Sequence, residues 1–255
     1  MRFFVELSYR GEPFHGWQIQ PGDISVQEVI EKALSTIARC HVPITGAGRT
    51  DAGVNARRMI AHFDYHTVPP PSMLKAFDSL CGRDIAIHSI RRVKDDAHAR
   101  FDATSRTYRY FATTRKNPFA RELAWKAPTT LDFEAMNEAA RLIIGRRDFT
   151  SFSKLHTDVK TNICDLREAR WHRDGDEGAW YFEITADRFL RNMVRAVVGT
   201  LVDVGRHKMR PADILDILDR RDRCAAGTSM PAGSLFLWDV TYPDSIYIPD
   251  IATRE

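Results

Sequence analysis

The stretch Leu166-Arg167-Glu168-Ala169-Arg170-Trp171-His172-Arg173-Asp174-Gly175-Asp176-Glu177-Gly178-Ala179-Trp180-Tyr181-Phe182-Glu183-Ile184-Thr185 decides the fold. A run near Leu166 to Trp171 and another from Trp180 to Thr185 read as strands, and Asp174-Gly175 marks the turn of a hairpin between them. Strands joined by a short turn are antiparallel. A doubly wound parallel sheet is therefore disfavoured, and an α+β architecture with a mostly antiparallel sheet is expected.

Outward from that hairpin, other segments fit the same frame. Phe3, Val5 and Leu7 alternate with Phe4, Glu6 and Ser8 as a first strand. Ser25 opens a helix with Glu28 in capping-box spacing, and Val26, Val29, Ile30, Ala33, Leu34 and Ile37 form its apolar stripe. Residues 42 to 56 read as a loop, and Ala61, Phe63 and Tyr65 as a strand. Pro69-Pro70-Pro71 breaks the chain before a short helix from about Ser72 and a strand around Ile85 and Ile87. Arg106, Tyr108 and Tyr110 alternate with Thr107, Arg109 and Phe111 in a strand with two distinct faces. Asp132 caps a helix that ends at Gly145, and a longer helix carries Leu190, Val194, Val197, Val198 and Leu201 and stops near Gly205. Pro211 suits the first position of another helix, and residues 235 to 240 alternate as a last strand. Two halves are expected, 1–105 and 106–255, each with strands and a long amphipathic helix.

The 255 residues carry 37 Lys and Arg against 34 Asp and Glu, a formal charge of +3, which permits a polyanionic partner without demanding one. Only clustering can make a basic footprint. Arg57-Arg58, Arg91-Arg92, Arg115-Lys116, Arg146-Arg147 and Arg206-His207-Lys208 with Arg210 are the clusters present, each equally readable as solvated surface charge. No apolar run is long enough to span a bilayer, and Glu6 interrupts the start of the chain, so neither a membrane span nor a signal peptide is expected. Cys40, Cys81, Cys164 and Cys224 are dispersed, with no C-x-x-C pair. Free thiols in a cytoplasmic setting follow, with no metal site.

The segment richest in chemical possibility is Gly46-Ala47-Gly48-Arg49-Thr50-Asp51-Ala52-Gly53-Val54. It is not a dinucleotide loop, because Asp51 stands where G-x-G-x-x-G requires glycine and would repel a pyrophosphate. No phosphate-binding G-x-x-x-x-G-K-[ST] occurs anywhere in the chain. The loop places a carboxylate two residues from a guanidinium on a glycine-flexed turn. Read in isolation, it is more readily an ordinary turn in which Asp51 accepts backbone hydrogen bonds.

The run Gly48-Arg49-Thr50-Asp51-Ala52-Gly53-Val54 resembles the catalytic loop of the tRNA pseudouridine synthase A family. Four further stretches resemble that family in order: Phe14 to Gln20; His98 to Ala103 with Arg106 to Tyr110; Asp148-Phe149-Thr150-Ser151-Phe152; and Phe189 to Gly205. The likeness covers nearly the whole chain. It implies a pseudouridine synthase fold, two α/β halves sharing a mostly antiparallel sheet with a central cleft.

It also implies an isomerase that detaches a uracil in tRNA and rejoins it through carbon, at positions 38, 39 and 40 of the anticodon stem-loop. A homodimer and no cofactor are implied as well. On this resemblance Asp51 is the nucleophile, Arg49 supports the flipped nucleotide, Tyr108 stacks on the target base, Arg195 pairs with Asp51, and Leu235 lines the pocket.

Physical chemistry agrees with these roles. Extruding a base costs a few kcal/mol, and stacking on an aromatic ring returns about 1–3 kcal/mol. A guanidinium favours the ionised carboxylate that a nucleophile needs. The sequence leaves open whether the aspartate attacks the sugar, attacks the base or takes a sugar proton. Taken singly, Tyr108 reads equally as a packing residue and Leu235 as a core leucine, whereas Arg195 on an apolar helix face calls for a carboxylate partner. His15, His62 and His98 read as satisfied structural histidines.

The chain departs from the family pattern at Asn55, where histidine is common, at Arg10, where aspartate is common, at Leu80 to Asp84, and at Ser234, where glycine is common. Two other functions fit the same residues: a non-catalytic tRNA-binding or folding protein, and a pseudouridine synthase acting on another RNA. An aspartate-dependent phosphotransferase would need acids near Asp51, and the next acid after it is Asp64.

Overall fold

A computed structural model describes residues 1–120, 122–154, 161–175 and 178–249. The chain forms two compact units. One comprises Met1–Thr104 with the residues from Leu237 onward, and the other comprises Ser105–Phe236.

In the first unit β1 (Arg2–Tyr9) is followed by α1 (Val26–Ala38), β2 (Thr45–Gly46), β3 (Asn55–Asp64), α2 (Pro71–Leu80) and β4 (Ile85–Val93). β1 pairs antiparallel with β3 on one side and β4 on the other, and β2 pairs antiparallel with β3. The expected alternation of β1 holds, and Phe4 on the opposite face is buried too, because Tyr242 and Tyr247 pack edge-on against it. α1 begins as the sequence suggested, with the Ser25 hydroxyl accepting the Glu28 N–H at 3.2 Å.

The loop expected over 42 to 56 is shorter than read. β2 occupies two of its residues and β3 already starts at Asn55. Arg57 and Arg58 conceal the apolar alternation there. Arg58 instead bonds Glu6 at 3.1 Å and Asp239 at 2.6 Å within the sheet.

The second unit runs β5 (Ser105–Thr113), β6 (Trp125–Lys126), α3 (Phe133–Leu142), β7 (Gly145–Asp148), β8 (Ile163–Arg173), β9 (Ala179–Ala186), α4 (Met193–Gly205) and α5 (Asp213–Arg220). The strand β10 (Leu235–Thr241) begins here and continues into the first unit. β5, β9, β8 and β7 are successive antiparallel neighbours, and β6 adds to β5 in parallel. The hairpin is present, with His172 opposite Tyr181 and Arg173 opposite Trp180. The Asp174 N–H closes on the Ala179 carbonyl at 3.0 Å, and Asp176 and Glu177 lie outside the described residues.

Trp171, Phe182, Ile184 and Tyr110 are fully or almost fully buried. Phe133 of α3 stacks on Trp180 at 3.9 Å and meets Trp171 edge-on. Asn137 of α3 makes two buried bonds to the Trp171 backbone, so a polar side chain inside the layer is satisfied.

Two helix starts differ from expectation. α4 begins at Met193 rather than Leu190, because Asn192 takes a left-handed conformation (φ 66°) that ends the preceding irregular segment. Pro211 sits in the turn before α5, one residue ahead of the N-cap Ala212.

Candidate active site

Residues 47–54 leave β2 and return into β3 carrying Asp51 half-buried, Arg49 exposed and Thr50 buried. The Val54 N–H bonds the Asp51 carbonyl at 3.1 Å and makes the turn. The early segment Tyr9 to Trp17 holds this loop against the sheet. The Tyr9 hydroxyl meets the Thr50 hydroxyl at 2.9 Å, the Trp17 N–H donates to the Thr50 carbonyl at 3.1 Å, and the Gly53 N–H donates to the Phe14 carbonyl at 3.3 Å. Gly16, at φ 92°, lies so close that a Cβ would stand 2.6 Å from the Thr50 carbonyl oxygen and 3.2 Å from the Asp51 carbonyl carbon. Only glycine satisfies both the backbone conformation and the approach. The Phe14 to Gln20 motif is therefore the support of the Asp51 loop.

In the second unit, Tyr108 lies on β5 and Arg195 in the first turn of α4, while Leu235 opens β10 and is buried. The Tyr108 ring meets Phe189 edge-on at 5.1 Å and 86°. Such an edge-on contact holds the plane of the Tyr108 ring. Phe189 belongs to the Phe189 to Gly205 stretch, and the resemblance assigns it no role. Its signal was an aromatic placed just before the helix that bears Arg195.

The Arg195 Nε donates to the Met230 carbonyl at 2.5 Å, and the Met230 N–H donates to the Arg195 carbonyl at 3.1 Å. The segment carrying Met230 reaches α4 because Gly199 has no side chain; a Cβ there would stand 1.8 Å from the Thr228 carbonyl oxygen. Tyr110, on the same face of β5 as Tyr108, is fully buried, and burial pushes its phenol well above the usual value.

The other motifs hold structure. In Asp148 to Phe152 the Asp148 carboxylate accepts the Thr150 N–H at 2.9 Å, and the fully buried Ser151 hydroxyl donates to the Ile217 carbonyl and accepts the Asp222 N–H. His98 to Asp102 is a tied turn: the His98 N–H bonds the Asp102 carboxylate at 2.7 Å, and the His98 Nδ1 accepts the Arg100 N–H. His62 is buried and its Nδ1 accepts the Ala99 N–H at 3.2 Å. Burial first, then the Arg2 and His98 charges, lower its pKa to about 4, so it is a neutral structural acceptor as expected. Burial likewise pushes the Cys81 and Cys164 thiols up to about 12. Among the described residues, Glu168, His172 and Glu183 bring possible ligand atoms within 4.8 Å of one another. The Arg109 guanidinium already bonds Glu183 there and supplies the positive charge a cation would bring.

A family model described as tRNA pseudouridine synthase matches residues 139–243. Curated relatives match over almost the whole chain. A protein of Parabacteroides distasonis named tRNA pseudouridine synthase A is 54% identical over 248 residues, 96% of this chain and 98% of its own length. The protein of that name from Bacteroides thetaiotaomicron is 52% identical, over 96% of this chain and 92% of its own. That from Bacillus subtilis is 38% identical, over 95% and 99%. The chain belongs to the tRNA pseudouridine synthase A family, whose members are isomerases that convert uridine to pseudouridine.

Proposed function

We propose that this protein converts uridine to pseudouridine at positions 38, 39 and 40 of the tRNA anticodon stem-loop, with Asp51 as the nucleophile. The names of the relatives support tRNA as the substrate. The observation that carries the reading is the Asp51 loop itself. It resembles the family's catalytic loop, and its backbone is clamped by Gly16, Trp17 and Phe14. A clamped loop fits a group that must meet a reacting atom with sub-ångström accuracy. Arg195 is the proposed partner of the Asp51 carboxylate, Arg49 the support of the extruded nucleotide, Tyr108 the stacking ring and Leu235 part of the pocket lining.

The reaction needs no oxidant and no energy source. The bond from the ribose carbon to N1 of uracil breaks, the base turns, the same carbon bonds C5, whose hydrogen leaves to solvent as a proton, and N1 takes up a proton in exchange. Release of tritium from C5-labelled tRNA therefore reports turnover. Asp51→Asn is expected to abolish release and leave tRNA binding intact; release near the wild-type rate removes Asp51 from its role.

A cytoplasmic homodimer is part of the same reading. What supports the dimer is the half-exposed aromatic face of the second unit's sheet, where Phe111 meets Phe236 and Tyr181, and His172 stacks on Tyr181. Aromatic residues are enriched in such interfaces. Light scattering that finds a monomer at assay concentration refutes the dimer. Among the described residues no helix is long and apolar enough to cross a membrane.

A further inference from the structure

Asn55 is the first residue of β3 and only 1% exposed. Its Oδ1 accepts the Gly11 N–H at 2.8 Å, a bond between two buried residues. Gly11 sits so close to the loop that a Cβ there would stand 2.2 Å from the Val54 carbonyl oxygen. From Gly11 a chain of backbone contacts leads towards Asp51. The Gly11 carbonyl accepts the Phe14 N–H at 3.0 Å, the Phe14 carbonyl accepts the Gly53 N–H, and Gly16 and Trp17 press on Thr50 and Asp51. The amide of Asn55 thus anchors one end of a clamp whose other end is the backbone of Asp51.

We infer that Asn55 is a positioning residue for the Asp51 loop, acting through Gly11 and the segment up to Trp17. The inference rests on Asp51 being the reactive group. An apolar side chain at 55 leaves the Gly11 N–H buried without an acceptor, and segment 11–17 then has reason to shift. A shift of the loop by a fraction of an ångström misplaces the carboxylate without removing any group that touches RNA, so the loss falls on kcat. The departure at Asn55 is then no deficiency. A histidine Nδ1 stands as many bonds from the backbone as the asparagine Oδ1, and either can accept this N–H.

The test compares Asn55→Leu, of similar size with no acceptor, and Asn55→His, which restores one, at pH 8. Pseudouridine formation on a tRNA transcript gives kcat, filter binding gives the Kd for tRNA, and hydrogen exchange follows the peptide over residues 46–56. Asn55→Leu is expected to lower kcat roughly ten-fold, with Kd within about two-fold, and to speed exchange in that peptide; Asn55→His keeps kcat within about three-fold of wild type. Gly11→Ala, which presses on Val54 from the other side, is expected to repeat the Asn55→Leu pattern and carries the test if Asn55→Leu is unfolded at the assay temperature. Wild-type kcat in Asn55→Leu overturns the inference, as does a loss of affinity equal to the loss of rate, or equal losses in Asn55→Leu and Asn55→His. If Asp51→Asn is itself active, the underlying reading of Asp51 fails. If Asp51→Asn is inactive and Asn55→Leu is fully active, only the positioning role fails.

Discussion

Two stretches that resemble motifs of the family, Gly48–Val54 and Asp148–Phe152, are set differently in the fold. The first leaves its carboxylate half-buried and its guanidinium exposed, and fixes them through backbone contacts from a neighbouring segment. The second buries Phe149, Ser151 and Phe152 completely and turns its aspartate onto its own backbone. A short motif can therefore mark chemistry or a packing joint. What separates them is burial: Asp51 and Arg49 reach solvent, whereas Phe149, Ser151 and Phe152 do not. The turn at His98–Asp102 is like the second in one respect, since its His98 and Asp102 are occupied in closing it.

Substitutions at four residues test this division, and the largest effect belongs to the first stretch. Asp51→Asn is expected to cost at least about a thousand-fold in turnover while the melting temperature stays near wild type. A large fall in stability would place Asp51 with the packing residues. Next, Tyr108→Ala is expected to lower kcat/KM by roughly 10- to 100-fold, because a stacked base contributes about 1–3 kcal/mol. Tyr108→Phe keeps the ring and should lose much less, whereas equal losses would move the role to the hydroxyl.

Ser151→Ala reverses the pattern. It removes a buried donor and acceptor, and should cost about 1–3 kcal/mol of stability, read as a melting temperature lower by several degrees, with kcat unchanged well below melting. A kcat loss in a fully folded Ser151→Ala protein breaks the division.

The effect that is smallest at neutral pH is a pH dependence. His62 has a folded-state pKa near 4, below the ordinary 6.5. Between those values the unfolded chain holds a proton there that the folded chain does not, so unfolding becomes easier as the pH falls from about 6.5 to 4. His62→Gln should flatten that limb of a denaturant-midpoint-versus-pH curve; an unchanged limb assigns it to other groups.

Much of the architecture was legible because periodicity and turn chemistry are local. The hairpin around Asp174-Gly175, the Ser25 cap and the Asp132 cap all lie where residue type and spacing placed them. The first half of β3 was not legible, because Arg57 and Arg58 break the apolar alternation. Their strand is defined by pairing with β1, and Arg58 is satisfied by Glu6 and by the distant Asp239. The burial of Phe4 escaped notice for the same reason, since Tyr242 and Tyr247, more than 200 residues later in the chain, cover it. Of the candidate site, the loop with Asp51 was legible as a motif. The contact between Tyr108 and Phe189, and the left-handed Asn192 that starts α4, were not.

Residue order alone determined that this chain alternates strands and helices around hairpins, and that one of its loops resembles the catalytic loop of its family. Both follow from interactions spanning a few positions, where side-chain type dictates backbone geometry. The fold decided which of those motifs reach the surface and which are internal fastenings, and it gave Asn55 a purpose. Those outcomes depend on backbone amides and carbonyls that meet across dozens of residues, where the deciding atoms are common to every amino acid and leave no mark in the letters.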